Sequence, residues 1–439
     1  MRDMRDSGVE WIGAIPSDWE LIRFKDKWNN KKEIAGTNAD EYERLALTLN
    51  GVVKRPKDDS EGLQPQAFDG YQILRENDFV FKMIDLQNIS TSRVGLSPYT
   101  GLVSPAYIRF APRDENQHSK FTYYFLMSMY YNCVYNNLGG DGVRSALNAS
   151  DMGRFNLPWP DEDTQEKISE HLDAEIIKVD NLIANVQAQI EKLKAYKQSI
   201  ITEVMSKGLD PTATMKDSEI DWLGKIPETW DVVKVLRIAD KTHPYAIGDG
   251  DHGLIKPDDY QQEGIPYIRV QNLGWATDLD TSNIVYISEE TNNKIKGSTL
   301  RPNDVLFAKT GATIGKTAII PQDMPIANTT SHVGKITVSP KYDPRYIFYV
   351  LSSTIGYRQF WEYASTKTTR PELAIDEIKQ VYITLPRSKE EQSEIVAYLD
   401  KKCNAADKLI AIKEKKVELL QQYKKSLIYE YVTGKKEVV

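Results

Sequence analysis

EWIGAIPSDW, Glu10 to Trp19, recurs as DWLGKIPETW, Asp221 to Trp230. Trp11, Gly13, Ile15, Pro16 and Trp19 return as Trp222, Gly224, Ile226, Pro227 and Trp230, all at an offset of 211. A repeat of this kind governs the reading of the whole chain. LRENDFVF from Leu74 recurs as LRPNDVLF from Leu300, now at an offset of 226, and Pro160 matches Pro386 at that same offset. From Gln165 and Gln392 the two copies run in register at an offset of 227. There Leu172-Asp173 becomes Leu399-Asp400, Asp180 becomes Asp407, and Tyr196-Lys197 becomes Tyr423-Lys424. The chain is therefore a tandem duplication, A-B-A′-B′. The second A unit carries an insertion of roughly 15 residues between its Trp segment and its LRxND segment, the difference between offsets of 226 and 211.

Segment B, about Asp163 to Lys207, has no proline and carries apolar residues at alternating steps of four and three. Leu172, Ile176, Val179, Ile183, Val186, Ile190 and Leu193 form this seam, with Lys197 in the one missing place. In B′ the seam is Leu399, Cys403, Ala406, Ile410, Val417, Leu420 and Leu427, with Lys413 and Lys424 in the places left over. Each predicts a helix ~60 Å long at ~1.5 Å per residue. A narrow apolar seam needs a partner, and the duplicate helix supplies one, so an intramolecular two-helix coiled coil is expected. Packing of each helix on its neighbouring domain is the plainer alternative.

The A units have Gly, Pro and Asn at short intervals. They carry β-prone runs, YIRFAP from Tyr107, IPYIRV from Ile265 and KITVSP from Lys335, and helical stretches over Phe121 to Tyr135 and Pro344 to Ser353. The expected class is α+β: two globular domains alternating with two long helices that pair antiparallel, closed in a pseudo-twofold circle. The expected boundaries are 1–160 for the first domain, with its repeat segment at 8–19, and 161–210 for the first helix. The second domain is expected at 211–386, with its segment at 219–230, and the second helix at 387–439. If both Trp segments occupy equivalent places, the first lies beside the end of the second helix, near Gly434.

Composition narrows the function. The net charge is −7, from 56 Lys and Arg against 63 Asp and Glu, which argues against a globally basic binder. Residues 20–160 carry 17 of each sign, so DNA binding by the chain alone is expected to be weak and salt-dependent. The start MRDMRDSGVE has no apolar run of secretory type and no stretch reaches membrane length, so no membrane association is expected. Cys133 and Cys403 form no cluster, and a reducing cytoplasm is the expected location.

KTGATIGKTA, Lys309 to Ala318, resembles a phosphate-binding P-loop but spaces Gly311 and Gly315 by three residues where four are required. It reads better as a Gly-rich turn that admits a polyanion closely. HPYAIGDGDHG, from His243, matches neither a zinc site nor a full calcium loop and reads as a polar turn. No nucleophile elbow and no S-adenosylmethionine fingerprint occurs, so no catalytic site and no metal are expected. Basic residues gather in loops: Lys54, Arg55 and Lys57; Arg93; Arg144; Lys309, Thr313 and Lys316; Lys367, Thr368 and Arg370. Such side chains in Gly-flexed loops suit base-edge and phosphate contacts, though each alone is also an ordinary solvated residue.

The whole pattern resembles the specificity subunits of type I restriction–modification systems. The Trp-Ile-Gly-x-Ile-Pro-x-x-Trp segment carries the resemblance, as does TLPRSKEEQSEIVAYLD from Thr384. LPWPDEDTQEKISEHLD from Leu157 matches less faithfully, with Thr164 where Glu is usual. Gly248 to Gly253 and Asp304 to Gly315 also look like stretches of such recognition domains, which adds His252 to the candidate DNA contacts.

The resemblance implies a non-catalytic chain whose two domains each read one half of a split, asymmetric double-stranded DNA target, while the helices set the spacer. Its implied partners are two modification subunits that bind S-adenosylmethionine, and restriction subunits that use ATP and Mg. It implies no cofactor in this chain. Two other classes stand beside it, a coiled-coil adaptor without DNA specificity and a P-loop NTPase.

Overall fold

The computed structural model describes every residue except 1, 50, 59–66, 85, 87–92, 115–116, 118, 139–145, 367–370 and 439. The chain forms two compact units, one of Met1–Gln187 with Lys415–Val439 and one of Ala188–Glu414. The architecture is mixed helix and strand, with two long helices at Glu162–Lys207 and Lys389–Val432. Each unit takes in part of each long helix.

Each unit contains the same hairpin. In the first, Met4–Asp6 pairs antiparallel with Ala14–Pro16, Met4 facing Pro16. In the second, Met215–Asp217 pairs with Lys225–Pro227, Met215 facing Pro227. The pairing extends the repeat back to Met4 and Met215. Ser7 N–H donates to Gly13 O at 3.1 Å and Ser218 N–H to Gly224 O at 3.0 Å. Gly13 and Gly224 sit at φ +66° and +68°, a left-handed conformation that disfavours any side chain, which accounts for the repeated glycine. Ile15, Trp19, Ile226 and Trp230 are buried beneath the hairpins.

The strand after each hairpin pairs with the strand that leads into a long helix. Glu20–Arg23 meets Asn156–Trp159, and Trp230–Lys234 meets Tyr382–Pro386. Both units then share a four-stranded sheet of the same order. In the first it runs Trp28–Asn30, Ile108–Pro112, Phe79–Lys82, Arg93–Leu96; in the second, Ile247–Asp249, Val333–Ile336, Val305–Ala308, Thr317–Ile319. The remaining sheets differ. The first unit adds four strands built on Arg44–Thr48 and Gly51–Arg55, and the second adds three around Ile265–Ile268. The apolar run from Phe121 gives a helix only over Lys120–Tyr131, because Cys133 takes φ +56° before Val134–Leu138 resumes.

The LRxND repeat is a turn that seals this shared sheet. Asn77 and Asn303 adopt φ +64° and +70°, which Asn tolerates better than most residues. Asp78 accepts from Arg75 N–H at 2.7 Å and Asp304 from Arg301 N–H at 2.9 Å. Both carboxylates are almost fully buried, where an unpaired charge is costly. Arg109 Nε lies 2.5 Å from Asp78 and its guanidinium also meets Glu33 at 3.0 Å. Lys335 stands at the position equivalent to Arg109, but its Nζ donates to Thr299 O, and Asp304 makes no ion pair among the described residues. Burial pushes both aspartates above the usual carboxylate range, against the Arg75 N–H and Arg109 at Asp78 and against the Arg301 N–H and the Lys335 charge at Asp304. The Arg75 guanidinium, aided by Arg109, holds Glu33 down at about 2 against the effect of its burial.

Each long helix ends where a Trp segment begins. Gly208 and Gly434 close the helices at φ +76° and +69°. A side-chain carbon at Gly434 would lie 2.4 Å from Pro16 and 3.1 Å from Trp19. At Gly208 it would lie 3.3 Å from Trp230 and 3.7 Å from Pro227. Lys435 Nζ donates to Ile12 O at 2.5 Å, and Tyr429 OH to the same oxygen at 3.1 Å. The first Trp segment thus lies against the end of the second helix, as equivalence of the two copies requires.

Candidate nucleic-acid interface

In the second unit the Gly-rich stretches converge at one end of the shared sheet. Lys309 follows the strand Val305–Ala308, and its Nζ lies 2.7 Å from Asp249 Oδ2 and 3.1 Å from Glu372 Oε1. Its side chain is only 8% exposed. Burial pulls the ammonium pKa down, but the two carboxylates outweigh it and hold it above the ordinary value. Lys309 therefore ties together three separate segments of chain.

Around this tie stand exposed polar groups. His252, at φ +51°, has its side chain 77% exposed with Nε2 3.4 Å from Asp249. His332 Nδ1 lies 3.2 Å from Thr310 Oγ1, and Thr313 Oγ1 donates to Thr310 O at 2.8 Å. Asp251 accepts from Ser331 N–H at 3.1 Å, fixing one loop against the other. Gly250 permits that approach, since a side-chain carbon there would meet the Thr330 backbone at 2.0 Å. Lys316 is half-buried at the far end of the turn. Sequence reading misses Asp249, Glu372, Thr310 and His332, whose spacing along the chain carries no motif.

In the first unit Lys54, Arg55 and Lys57 border an open groove of about 510 Å³ with Asp40 and Glu43. Lys54 Nζ meets Glu43 at 2.5 Å and Lys57 Nζ donates to Ala39 O at 2.8 Å. Arg55 pairs across the sheet with Arg44, and Arg93 with Lys82. Arg144, Lys367, Thr368 and Arg370 lie outside the described residues. The turn Gly311–Thr313 leads into the strand Thr317–Ile319 rather than a helix, so it lacks the helix N-terminus on which a P-loop seats phosphate. Among the described residues no group of His, Cys, Asp and Glu is placed to hold a metal, and no helix is long and apolar enough to cross a membrane.

Both units grip their helices in the same way. Asp173 receives the Tyr124 hydroxyl and the Lys120 ammonium. Its duplicate Asp400 receives Tyr349 OH at 2.5 Å and Arg345 Nε at 2.6 Å. Gln165 donates to Pro160 O at 2.8 Å and Gln392 to Pro386 O at 2.9 Å.

Of the seam residues, Leu172, Val179, Ile190, Leu399, Ile410 and Leu427 are buried, whereas Ile176, Ile183, Leu193, Val417 and Leu420 are half-buried. Leu172 and Leu427 belong to the first unit's core and Leu399 to the second's, so at their ends the helices pack on the domains. Two of the three seam lysines meet aspartates of the other helix, and the third, Lys413, donates to Gln189 Oε1 at 2.5 Å. Lys197 reaches Asp407 at 2.7 Å in the second unit, and Lys424 reaches Asp180 at 2.8 Å in the first.

One duplicated contact is broken. Trp230 Nε1 donates to Glu391 at 2.7 Å, but Thr164 stands at the equivalent position in the first unit. There the buried Trp19 Nε1–H has no partner among the described residues. Thr164→Glu is expected to stabilise the first unit by about 1 kcal/mol, and Glu391→Thr to destabilise the second by about 1–3 kcal/mol. Hydrogen exchange of the strands beside each tryptophan checks both; no gain from Thr164→Glu would show that Trp19 is already satisfied.

Two segments, residues 16–194 and 227–421, match the family model for the type I restriction modification DNA specificity domain. The chain belongs to this family. As a type I specificity subunit it has two recognition domains. It is 24% identical over 427 residues to the type I restriction enzyme MjaVIII specificity subunit of Methanocaldococcus jannaschii, covering 96% of this chain and 93% of that one. To the EcoBI specificity subunit of Escherichia coli it is 28% identical over 304 residues, 67% and 61% of the two chains. Its fold is similar to a solved chain described for the complex assembly and conformational transition of the type I R-M system. That likeness has a TM-score of 0.66 at 16% identity, over 96% of this chain and 99% of that one. For the specificity subunit, neither the adaptor reading nor the NTPase reading finds support.

Proposed function

We propose that each recognition domain reads one half of a bipartite, asymmetric DNA target. The domains span 1–160 and 211–386, and the helical segments 161–210 and 387–439. The reading loops carry Lys54, Arg55, Lys57, Arg93 and Arg144 in the first domain. In the second they carry His252, Thr313, Lys316, Lys367, Thr368 and Arg370, with Lys309 positioning them. The observation that carries this reading is the contrast within the duplication. Hairpin, LRxND turn and helix grip recur in both units with most of their hydrogen bonds, while the loop sequences do not repeat. One scaffold with two unlike loop sets suits one DNA duplex with two unlike half-sites.

The two long helices pair antiparallel as a coiled coil and fix the unread spacer. The reciprocal Lys197–Asp407 and Lys424–Asp180 pairs support this, since each joins one helix to the other at duplicated positions. The chain itself is non-catalytic and holds no cofactor. Two modification subunits, which bring S-adenosylmethionine, dock on the helices, and restriction subunits bring ATP and Mg to the cytoplasmic complex. Duplicated apolar residues exposed on the helices support a partner that binds twice: Leu182 at 47% and Leu409 at 48%, Tyr196 at 49% and Tyr423 at 48%. Sequencing the methylated bases of cells with and without this gene, its modification partner present in both, tests the reading. A bipartite methylated motif is expected only with the gene; methylation independent of it would refute the proposal.

A further inference from the structure

A second cationic surface lies on the short helix that follows each Trp segment. In the second unit this helix is Val235–Ile238, beside an open groove of about 780 Å³. Lys234, Arg237, Lys241 and Lys379 line it with Asp240; Lys379 is paired with Asp376 at 2.8 Å, and Lys234 Nζ donates to Gln380 Oε1 at 2.6 Å. Asp240 accepts from the N–H and hydroxyl of Thr242, at 2.9 and 2.8 Å. Asp231, just outside, is taken up by Arg387 at 2.9 Å. Arg237 and Lys241 are exposed and make no ion pair among the described residues. Lys234 lies 5.5 Å over the Tyr382 ring.

In the first unit the equivalent helix is Phe24–Lys27, at the same offset of 211. Arg23, Lys25, Lys27, Arg113 and Arg154 gather there. Arg113 Nε donates to Lys25 O at 2.9 Å, and Phe24 N–H donates to Phe155 O at 2.8 Å, which brings Arg154 alongside. Lys27 lies 5.3 Å over the Trp159 ring, a contact between positions other than those of Lys234 and Tyr382. Asp26 accepts from Arg23 N–H at 3.1 Å. Only Arg23 and Lys234 keep both charge and position, as Leu236 and Ile238 replace Lys25 and Lys27. The charge of the patch thus persists while its residues change, in a chain whose net charge is −7.

A feature common to both units addresses something common to both half-sites, and unlike loops address what differs. We propose that these patches bind the phosphate backbone of duplex DNA beside each half-site, independent of base sequence; this rests on the reading of the domains as DNA readers. Long flexible cations in an open groove suit phosphates. A protein partner would favour an interface depleted of lysine and richer in aromatic side chains.

The test uses the full chain in complex with its modification subunits, titrated with salt on a duplex carrying the methylated motif and on a scrambled one. Arg237→Ala with Lys241→Ala is expected to weaken both duplexes alike and to lower the log–log salt slope by about 0.9 per lost contact, up to ~1.8 in all. Lys25→Ala with Lys27→Ala is expected to do the same. Arg237→Lys with Lys241→Arg keeps the charge and is expected to keep the slope, which separates charge loss from misfolding. An unchanged slope in the alanine variants overturns the proposal. So does an unchanged slope with loss of the modification subunits from the complex, which would assign the patch to an acidic protein surface. Failure of the underlying reading is distinct: the unsubstituted complex would then bind both duplexes equally.

Discussion

Asp78→Ala is expected to destabilise the first unit by about 3–5 kcal/mol, the range for removing one partner of a buried ion pair. Arg109 is 2% exposed and cannot shed its proton, so it is left inside with only Glu33 beside it. The Arg75 N–H also loses its acceptor in the turn. Asp304→Ala in the second unit is expected to cost less, although Asp304 is equally buried. Asp304 makes no ion pair among the described residues, and the nearby Lys335, whose pKa burial pulls down, can become neutral. The two units need not unfold together, so one global melting curve is the wrong measure. Hydrogen exchange resolves them: Asp78→Ala should strip protection from Ile108–Pro112 while sparing Val333–Ile336. A cost below about 1 kcal/mol would show that the Asp78–Arg109 pair does not hold the sheet.

Removing one heptad from the middle of both long helices is expected to shorten the spacer of the methylated motif by about three base pairs. Seven residues span about 10.5 Å of helix, and duplex DNA rises about 3.4 Å per base pair. A heptad preserves the seam face, so Lys197 and Lys424 keep their aspartates, whereas a four-residue deletion turns the seam away and should abolish assembly. Sequencing of methylated bases reads the spacer directly. A tolerated heptad deletion with an unchanged spacer would end the ruler account.

What is legible in the sequence is mostly what the backbone demands. Gly13 and Gly224, and Asn77 and Asn303, all sit at positive φ, and each pair is a repeat plain from the amino-acid order alone. The long helices are equally plain, because their seams run for six turns or more without proline. Thr164 stands out as a departure, but its consequence, a buried indole N–H without its glutamate, depends on the packing. Lys309 has the look of a free loop cation, since residue type says nothing of burial. Its partners Asp249 and Glu372 come from segments 60 and 63 residues away. The extra sheets stay hidden for a related reason: they lie where the two copies share no residues, and their short strands carry little periodicity. The cationic patches are in view one residue at a time, and only the fold gathers Arg23, Lys25, Lys27, Arg113 and Arg154 into one surface.

The central claim, one scaffold carrying two independent readers, has a direct test. Residues 235–381, between the strands Trp230–Lys234 and Tyr382–Pro386, are replaced by the matching stretch of a related specificity subunit. Methylated bases are then sequenced in cells that also hold the modification partner. One half of the motif is expected to change, while the other half and the spacer length stay as they were. A change in both halves, or in neither, would contradict the account.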